Sequence, residues 1–271
     1  MRKLIWFDKV YLLPESMNEM TNEQLIVLSD LVADSIPIQD VKVKILFHCL
    51  NAQLRRMKDP NYFRVKIDGK IYDVTVDEVT ATSSAFDFLY TKPDKKGNCF
   101  LDNRLTRCPY PSITLSGKTF FAPSNHMTDL IYDQYIYLVS FDVMKESKPE
   151  AIYSWLGCMF RIDKSYFDKK ELNIEFMKQI KPEVIVLMIW FWIGSCRYIA
   201  DEKFSSVFPA AESEPIPKRN VYDDQQSLLN YMSKGDPEKK RNYKRDYLYD
   251  VLSSLSYMIE LEERQGATQV D

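Results

Sequence analysis

Histidine and cysteine are the side chains in this sequence best suited to act as a nucleophile, a general base or a metal ligand. The chain contains two histidines and five cysteines: His48, His126, Cys49, Cys99, Cys108, Cys158 and Cys196. His48 and Cys49 are adjacent and would point about 100° apart on a helix, so they cannot bind one metal ion as an i, i+4 pair does. No local signature of a nucleophile surrounds any cysteine, although a Cys–His dyad with His126 could still form in space. We predict no catalytic, cofactor-binding or metal-binding residues, and no cofactor.

Two arginines could bind an anion on a partner. Arg104 and Arg107 lie in a segment, residues 91–111, that is rich in turn residues and long for a loop. The forked donors of a guanidinium suit a carboxylate or a phosphate. We predict that both arginines bind carboxylates of a partner, with an ordinary solvated loop as the alternative.

A second basic group precedes the C-terminal end of the chain and is interleaved with Tyr243 and Tyr247. Its members are Lys234, Lys239, Lys240, Arg241, Lys244 and Arg245. Basic residues with aromatic neighbours are typical of segments that grip and stack nucleic acid. Asp236, Glu238 and Asp246 dilute the charge, so nucleic acid stays an alternative partner that the composition does not favour.

The composition narrows the class of protein. With 271 residues, 36 Lys plus Arg and 39 Asp plus Glu, the chain is long enough for a sizeable core and has a formal net charge of −3. Only seven glycines are present, against about 19 for average usage, which disfavours a Rossmann or P-loop enzyme. An odd number of cysteines without a C-x-x-C pair favours a reducing cytoplasm over a disulfide framework.

Neither apolar segment that we considered predicts contact with a membrane. The run from Leu4 to Phe7 is too short for a signal peptide. The longest apolar run, from Val184 to Ile193, is well short of the roughly 20 residues that span a bilayer. We expect that run to form a buried helix.

Helical periodicity covers most of the chain. Thr21 and Gln24 form a capping box for a helix over residues 22–34. Asp40 could cap a second helix whose apolar spacing continues to Met57, with cations in its last turn. Further helices are predicted at residues 77–90, from residue 128, at 149–160, from Pro182 and near the C-terminal end.

Two hairpins interrupt the helices. A type I′ turn at Asp68-Gly69 would pair Val65 with Tyr72 and Phe63 with Val74. The same arithmetic around Ser116-Gly117 sets Ile113 opposite Phe120. We predict a mainly α fold with a minor β part (α+β): a helical body that carries one or two short β-hairpins.

The expected domain organisation has three parts. Residues 1–208 form the helical body with its small β element, residues 209–219 a Pro-rich linker, and residues 220–271 a C-terminal helical segment. That segment carries an apolar stripe, Leu248, Leu252, Leu255 and Ile259. A stripe of this kind needs a second surface to cover it, because a lone helix is marginally stable in water. We expect the stripe to bind a neighbouring subunit, with the chain's own helical body as the alternative.

Three segments resemble a family of uncharacterised proteins from tailed phages and prophages of Bacteroidota. They are residues 103–113 (NRLTRCPYPSI), residues 128–135 (TDLIYDQY) and residues 194–208, which begin with GSCR. The likeness covers residues 10–210, and Asp133 stands where the family's second motif has a glycine. The motifs are not enzymatic signatures, and the resemblance implies a virion or tail-assembly role with no catalytic residues.

Taken together, the sequence predicts a non-enzymatic structural or assembly protein of a tailed phage. It would bind copies of itself and neighbouring virion proteins as a connector or ring component. The 32 Tyr and Phe residues add weak support, since aromatic side chains are enriched at protein interfaces. A tail-assembly chaperone absent from the mature virion is the first alternative, and an unrecognised enzyme the second. We expect the protein in the bacterial host cytoplasm during assembly, and in the virion if it is structural.

Overall fold

Helices dominate the part of the chain that the computed structural model describes. The described residues are 1–7, 9–59, 61–144, 148–164, 166–208 and 221–267. Helix accounts for 55% and strand for 16%, and the strands form small antiparallel sheets. The predicted mainly α fold with a minor β part is confirmed.

The α-helices have the following bounds: α1 Asn22–Ala33, α2 Ile38–Cys49, α3 Val76–Ser83, α4 Tyr132–Met144, α5 Ala151–Met159, α6 Ile174–Met177, α7 Pro182–Arg197, α8 Val221–Ser233, α9 Pro237–Arg245 and α10 Leu248–Ala267. The strands are β1 Arg2–Trp6, β2 Lys9–Leu13, β3 Gln53–Asp59, β4 Tyr62–Ile67, β5 Lys70–Thr75, β6 Ser112–Leu115 and β7 Lys118–Phe121. Within the described residues these strands form three antiparallel sheets, with strand orders β1-β2, β3-β4-β5 and β6-β7.

The chain divides into two compact units, residues 1–105 and residues 106–271. The second unit therefore contains both the central helices and the C-terminal ones. The predicted Pro-rich linker at residues 209–219 lies outside the described residues and stays a prediction.

Local sequence signals set the start of α1 and the register of the first unit's hairpin. The Thr21 side chain accepts from the Gln24 backbone N–H, and the Gln24 side chain accepts from the Thr21 N–H, as a capping box requires. Strands β4 and β5 pair Val65 with Tyr72 and Phe63 with Val74. Asp68 and Gly69 have φ values of 48° and 83°, the left-handed pair that a type I′ turn needs. Both predictions are confirmed.

The predicted second helix is wrong at both ends. Pro37, and not Asp40, is the N-cap of α2, and Asp40 lies in the first turn. The helix ends at Cys49 and does not continue to Met57, because Asn51 adopts a left-handed φ of 50°. The following basic residues, Arg55 among them, belong to strand β3, which pairs with β4. Cross-strand pairing here outweighs helical spacing.

Strands β1 and β2 were not predicted at all. Their residues alternate between two environments, with Trp6 and Tyr11 packed against a buried cluster of the first unit. The members of that cluster are Phe47, Val65, Ile67, Val74 and Val79. An alternation over five residues is a short signal, and the polar break at Lys9 conceals that two strands follow each other.

Helix α7 supplies the central apolar surface of the second unit. Pro182 is its first residue, as predicted. The Trp192 ring meets the Trp155 ring edge-on at a centroid distance of 6.2 Å and lies 6.0 Å from the Tyr135 ring. With the π-helical turn after it, the segment Pro182–Lys203 has the length and apolar composition to cross a membrane, a property that the core helix of a soluble protein shares. The structure buries one face of it, and Ile193 lies on the exposed side.

The hairpin β6-β7 belongs to the same unit and has the predicted register, with Ile113 opposite Phe120. Phe120 is buried and lies 5.6 Å from Phe176 between ring centroids. The edge residue Phe121 exchanges two backbone hydrogen bonds with Arg161, of 2.7 and 2.9 Å. The hairpin therefore holds the chain where it leaves α5.

The apolar stripe of α10 is covered by the chain itself, which corrects the expectation of an intersubunit arm. Leu248, Leu252 and Leu255 are buried in the second unit, and Ile259 is half-buried. The Leu248 N–H donates to the Leu130 carbonyl at 2.7 Å, and the Tyr249 hydroxyl donates to the His126 carbonyl at 2.9 Å. These bonds dock the start of α10 on its own unit, where Leu248, Leu252 and Leu255 are buried.

Replacing Leu252 by alanine should test this placement. A buried leucine cut back to alanine leaves a cavity, and we expect the free energy of unfolding to fall by about 2–5 kcal/mol. The matched control is Tyr257→Ala on the same helix, where the side chain is 62% exposed and we expect a change within about 0.5 kcal/mol. Urea denaturation of both variants decides the question. Equal, small losses would show that α10 is not part of the core.

Candidate functional site

The outer face of the β1-β2 hairpin is an apolar surface exposed to solvent. In the antiparallel register Ile5 lies opposite Val10 and Lys3 opposite Leu12, so these side chains share one face. Ile5 is 75% exposed, Val10 62% and Leu12 58%. Single exposed apolar residues are ordinary, but three on one face of a two-stranded sheet form a contiguous patch. We call Ile5, Val10 and Leu12 the hairpin patch.

The opposite face of the hairpin fixes it to the first unit. The Phe7 ring stacks on Tyr72 at a centroid distance of 4.0 Å, and the Trp6 ring stacks on Phe7 at 4.9 Å. The Lys9 ammonium lies 2.6 Å from a carboxylate oxygen of Asp68, at the turn of the neighbouring hairpin. The patch is therefore presented by an anchored element, because aromatic stacking holds its reverse side.

Both strands of this hairpin also keep an open edge. Within the described residues the sheet contains β1 and β2 alone, so each strand pairs on one side only. Open edges with apolar side chains are templates for pairing with another chain, and proteins usually cover or charge them. The combination of patch and edges makes this hairpin the strongest candidate for a binding surface in the first unit.

Sequence reasoning missed the hairpin patch, although a signal was present. Val10 and Leu12 alternate with Tyr11 and Leu13, which is the period-2 pattern of a strand with two different faces. What the pattern does not disclose is that the face with Val10 and Leu12 would be the outer one, since both faces are apolar. Only the packing of Tyr11 against the buried cluster decides this.

The two arginines proposed to bind a partner are placed differently by the structure. The Arg104 side chain is largely exposed, and its Nε lies 3.1 Å from a carboxylate oxygen of Asp102. Arg107 is half-buried. The segment around them is not a solvated loop, because Asn103, Thr106 and Cys108 are buried. The irregular backbone is confirmed, whereas partner binding by these arginines stays a prediction.

Most of the basic segment before α10 lies in helix α9, and some of its cations have partners within the chain. The Asp236 side chain caps the helix by accepting from the N–H groups of Glu238 and Lys239. The Lys240 ammonium donates to the Asn230 side chain at 2.7 Å, and that of Lys244 lies 3.6 Å from Asp133. Arg241, Lys244 and Arg245 line a cavity of 490 Å³ together with aromatic rings from residues 166–167. Nucleic-acid binding by this segment stays an alternative.

Cys108 and His126 lie on paired segments of the second unit. The Cys108 N–H donates to the Asn125 side chain at 2.9 Å, and the His126 N–H donates to the Thr106 carbonyl at 2.8 Å. The His126 ring lies against Tyr198, with 4.5 Å between centroids. Burial raises the pKa of the Cys108 thiol to about 12, so this thiol is protonated at neutral pH and is a poor nucleophile.

Burial also raises the thiol pKa of three more cysteines. Burial raises the pKa of Cys49 to about 12, and it also raises the pKa values of Cys158 and Cys196. Among the described residues, no group of three or more His, Cys, Asp or Glu side chains is placed to hold a metal ion. A cavity of 750 Å³ in the second unit is lined by residues in and next to α4, α5 and α6, and neither histidine nor cysteine is among its described lining residues.

The raised thiol pKa values imply a loss of stability in mild alkali. An unfolded cysteine ionises near pH 8.5, whereas the buried Cys108 thiol keeps its proton up to about pH 12. Between these values the unfolded chain binds fewer protons than the folded one, so the free energy of unfolding falls as pH rises. We expect a lower urea midpoint at pH 9.5 than at pH 8. The decrease should be smaller in Cys108→Ala, and an equal decrease would contradict the assignment.

The chain was compared with known proteins in three ways. Searches with protein-family models, of curated proteins and of solved structures find no match to the chain.

Proposed function

We propose that this protein is a non-enzymatic assembly protein of a tailed phage that binds neighbouring copies of itself through the hairpin patch. The observation that carries the proposal is the exposure of Ile5, Val10 and Leu12 on one face of an anchored hairpin. The phage context comes from the resemblance of residues 103–113, 128–135 and 194–208. A connector or ring component of the virion is the form of assembly that we favour.

A second copy of the chain is the partner that best suits the patch. The face contains three aliphatic side chains and one cation, Lys3, so it offers little charge pattern by which a different protein could be selected. Aliphatic side chains pack against their own kind without directional requirements. Homo-oligomers are also the commonest assemblies of soluble proteins.

The double variant Ile5→Thr with Val10→Thr tests the patch. Threonine keeps the β-branched shape that suits a strand, while the loss of two buried aliphatic side chains should cost about 3 kcal/mol and weaken association by about 100-fold. Size-exclusion chromatography with light scattering should show a multiple of 31.9 kDa for the wild type and the monomer mass for the variant.

The matched control is Ile71→Thr on β5 of the same unit, where isoleucine is 62% exposed and lies outside the hairpin. We expect this control to keep the wild-type mass. The proposal fails if the wild type runs as a monomer at every concentration, or if the double variant keeps the mass of the wild type. Circular dichroism of each variant checks that the fold is retained.

Mass spectrometry of purified phage particles separates the virion role from the chaperone role. A connector or ring component should be present in the particle at a fixed copy number. A tail-assembly chaperone should be found in the infected host during assembly and be missing from the particle. Absence from the particle would overturn the structural form of the proposal in favour of the chaperone.

A further inference from the structure

Helix α9 presents three cations to one cavity of the second unit. Lys244 and Arg245 follow Arg241 by three and four residues, so the three side chains share one face of the helix. The cavity that they line, which we call the α9 cavity, measures 490 Å³, within the range of about 300–1,000 Å³ for pockets that take drug-sized ligands. Its other described lining residues are Ile131, Asp133, Tyr166 and Phe167.

The cations of the α9 cavity outnumber its carboxylates. Asp133 is the one carboxylate among the described lining residues, and the Lys244 ammonium lies 3.6 Å from one of its oxygens. The charges of Asp168 and Lys169 also reach Asp133 and are opposite in sign, so they offset each other there. Because Lys244 balances Asp133, the two arginines leave the described lining with an excess of two positive charges.

Both arginines are accessible to a ligand. Arg241 and Arg245 are exposed, and neither forms an ion pair with a carboxylate of the described part of the chain. The Asp236 carboxylate interacts with Arg241 electrostatically, but it is the N-cap at the opposite end of α9 and accepts from two backbone N–H groups there. A phosphate group could therefore bind these guanidinium groups without first displacing an internal ion pair.

The second unit holds the C-terminal end of α9 in place. The Tyr132 N–H donates to the Asp246 carbonyl at 2.9 Å, and Ile131 pairs with Tyr247 through a backbone bridge. These contacts join the residue that ends α9 to the start of α4. The basic face and Asp133 are therefore positioned by two helices that are fixed to each other.

Two aromatic side chains complete the α9 cavity. Tyr166 is 54% exposed. Phe167 is half-buried, and its ring lies 5.8 Å from the Tyr137 ring of α4 between centroids. Proteins combine cations with exposed rings to bind nucleotides, because the cations bind phosphate oxygens and a ring stacks on the base. An acidic peptide would use the cations, but its carboxylates would gain nothing from stacking.

We propose that the α9 cavity binds a nucleotide, with Arg241 and Arg245 donating to its phosphate and the Tyr166 ring stacking on its base. A phosphate monoester carries about two negative charges at neutral pH, which matches the excess of positive charge. The nucleotide is either free or one unit of a single-stranded nucleic acid, whose bases are open to stacking. Both sources present the same chemistry, and the experiment below distinguishes them. The site goes beyond the assembly role and does not depend on the hairpin patch.

Ligand titration of the full chain tests the proposal. The probes are adenosine monophosphate, adenosine, inorganic phosphate, a short single-stranded oligodeoxyadenylate and a glutamate peptide of the same charge as that oligonucleotide, each at an ionic strength matched with NaCl. We expect a nucleotide probe to bind saturably in calorimetry and more tightly than adenosine or phosphate. Binding of the monophosphate identifies a free nucleotide as sufficient, and binding of the oligonucleotide alone identifies a single strand.

Variants assign the binding to the α9 cavity. Arg241→Gln with Arg245→Gln removes both phosphate donors and should reduce nucleotide affinity at least tenfold. Tyr166→Leu removes the stacked ring and should reduce it about tenfold. The matched control, Lys239→Gln with Lys203→Gln, removes the same charge from exposed positions of the second unit outside the described lining and should bind as the wild type does. All five side chains are exposed, so we expect each variant to fold, which circular dichroism checks.

Three results would overturn the proposal. The first is that neither nucleotide probe binds saturably. The second is that the glutamate peptide binds as tightly as the oligonucleotide, which would show that charge alone is recognised. The third is that the arginine double variant binds as the wild type does, or loses no more affinity than the lysine control, which would place the binding outside the α9 cavity.

Discussion

The second unit depends on one close approach, that of Gly157 in α5 to the backbone of Leu172. A Cβ atom at position 157 would lie 2.1 Å from the Leu172 carbonyl oxygen, a distance that no side chain tolerates. Only glycine lets the segment Lys169–Glu171 and helix α6 fold back against α5. Gly157 and Leu172 both line the cavity beside Arg161, so this contact forms part of its wall. Glycine is unfavourable within a helix, and here the close packing of α5 against Leu172 offsets that cost.

Two further contacts are made at the same end of α5. The Gln134 side chain, which is fully buried in α4, donates to the Cys158 carbonyl at 2.6 Å. The backbone of Arg161 pairs with Phe121 three residues later. An orphan carbonyl at a helix end is satisfied in the first case, and the exit direction of the chain is set in the second. The Arg161 side chain is 5% exposed at this position.

The features that the sequence predicted correctly are those set by residues close together in the chain. The capping box at Thr21 and the turn at Asp68-Gly69 each follow from the chemistry of four residues, and the register of a hairpin follows from its turn. The extension of α2 to Met57 failed because β3 pairs with β4 across a separate turn, which helical spacing does not report. The stripe of α10 was recognised, but its periodicity cannot tell which surface covers it, and the hydrogen bond from Leu248 to Leu130 supplies that information.

The burial of Arg161 and the exposure of the hairpin patch were beyond prediction for a related reason. Arg161 is one of 36 basic residues and has no motif around it, since burial of a single charge is a property of the tertiary structure. The hairpin patch is likewise decided by which face of β2 meets the core. Arg104 and Arg107, in contrast, were predicted as partner-binding residues because they lie close together in a long irregular segment. An exposed ion pair such as that of Arg104 with Asp102 contributes little energy in water.

The hairpin patch and the Arg161 side chain interact with their surroundings in different ways, because the first is exposed and apolar and the second is buried and charged. Apolar side chains in water favour any surface that excludes solvent, so the patch supplies affinity without selecting geometry, and salt screens it little. A buried guanidinium responds instead to the charges near it, and the carboxylates of Asp129 and Asp163 act on Arg161 in this way. The assembly proposal therefore rests on the hairpin patch, whose reverse side is fixed to the first unit by the stacking of Phe7 on Tyr72.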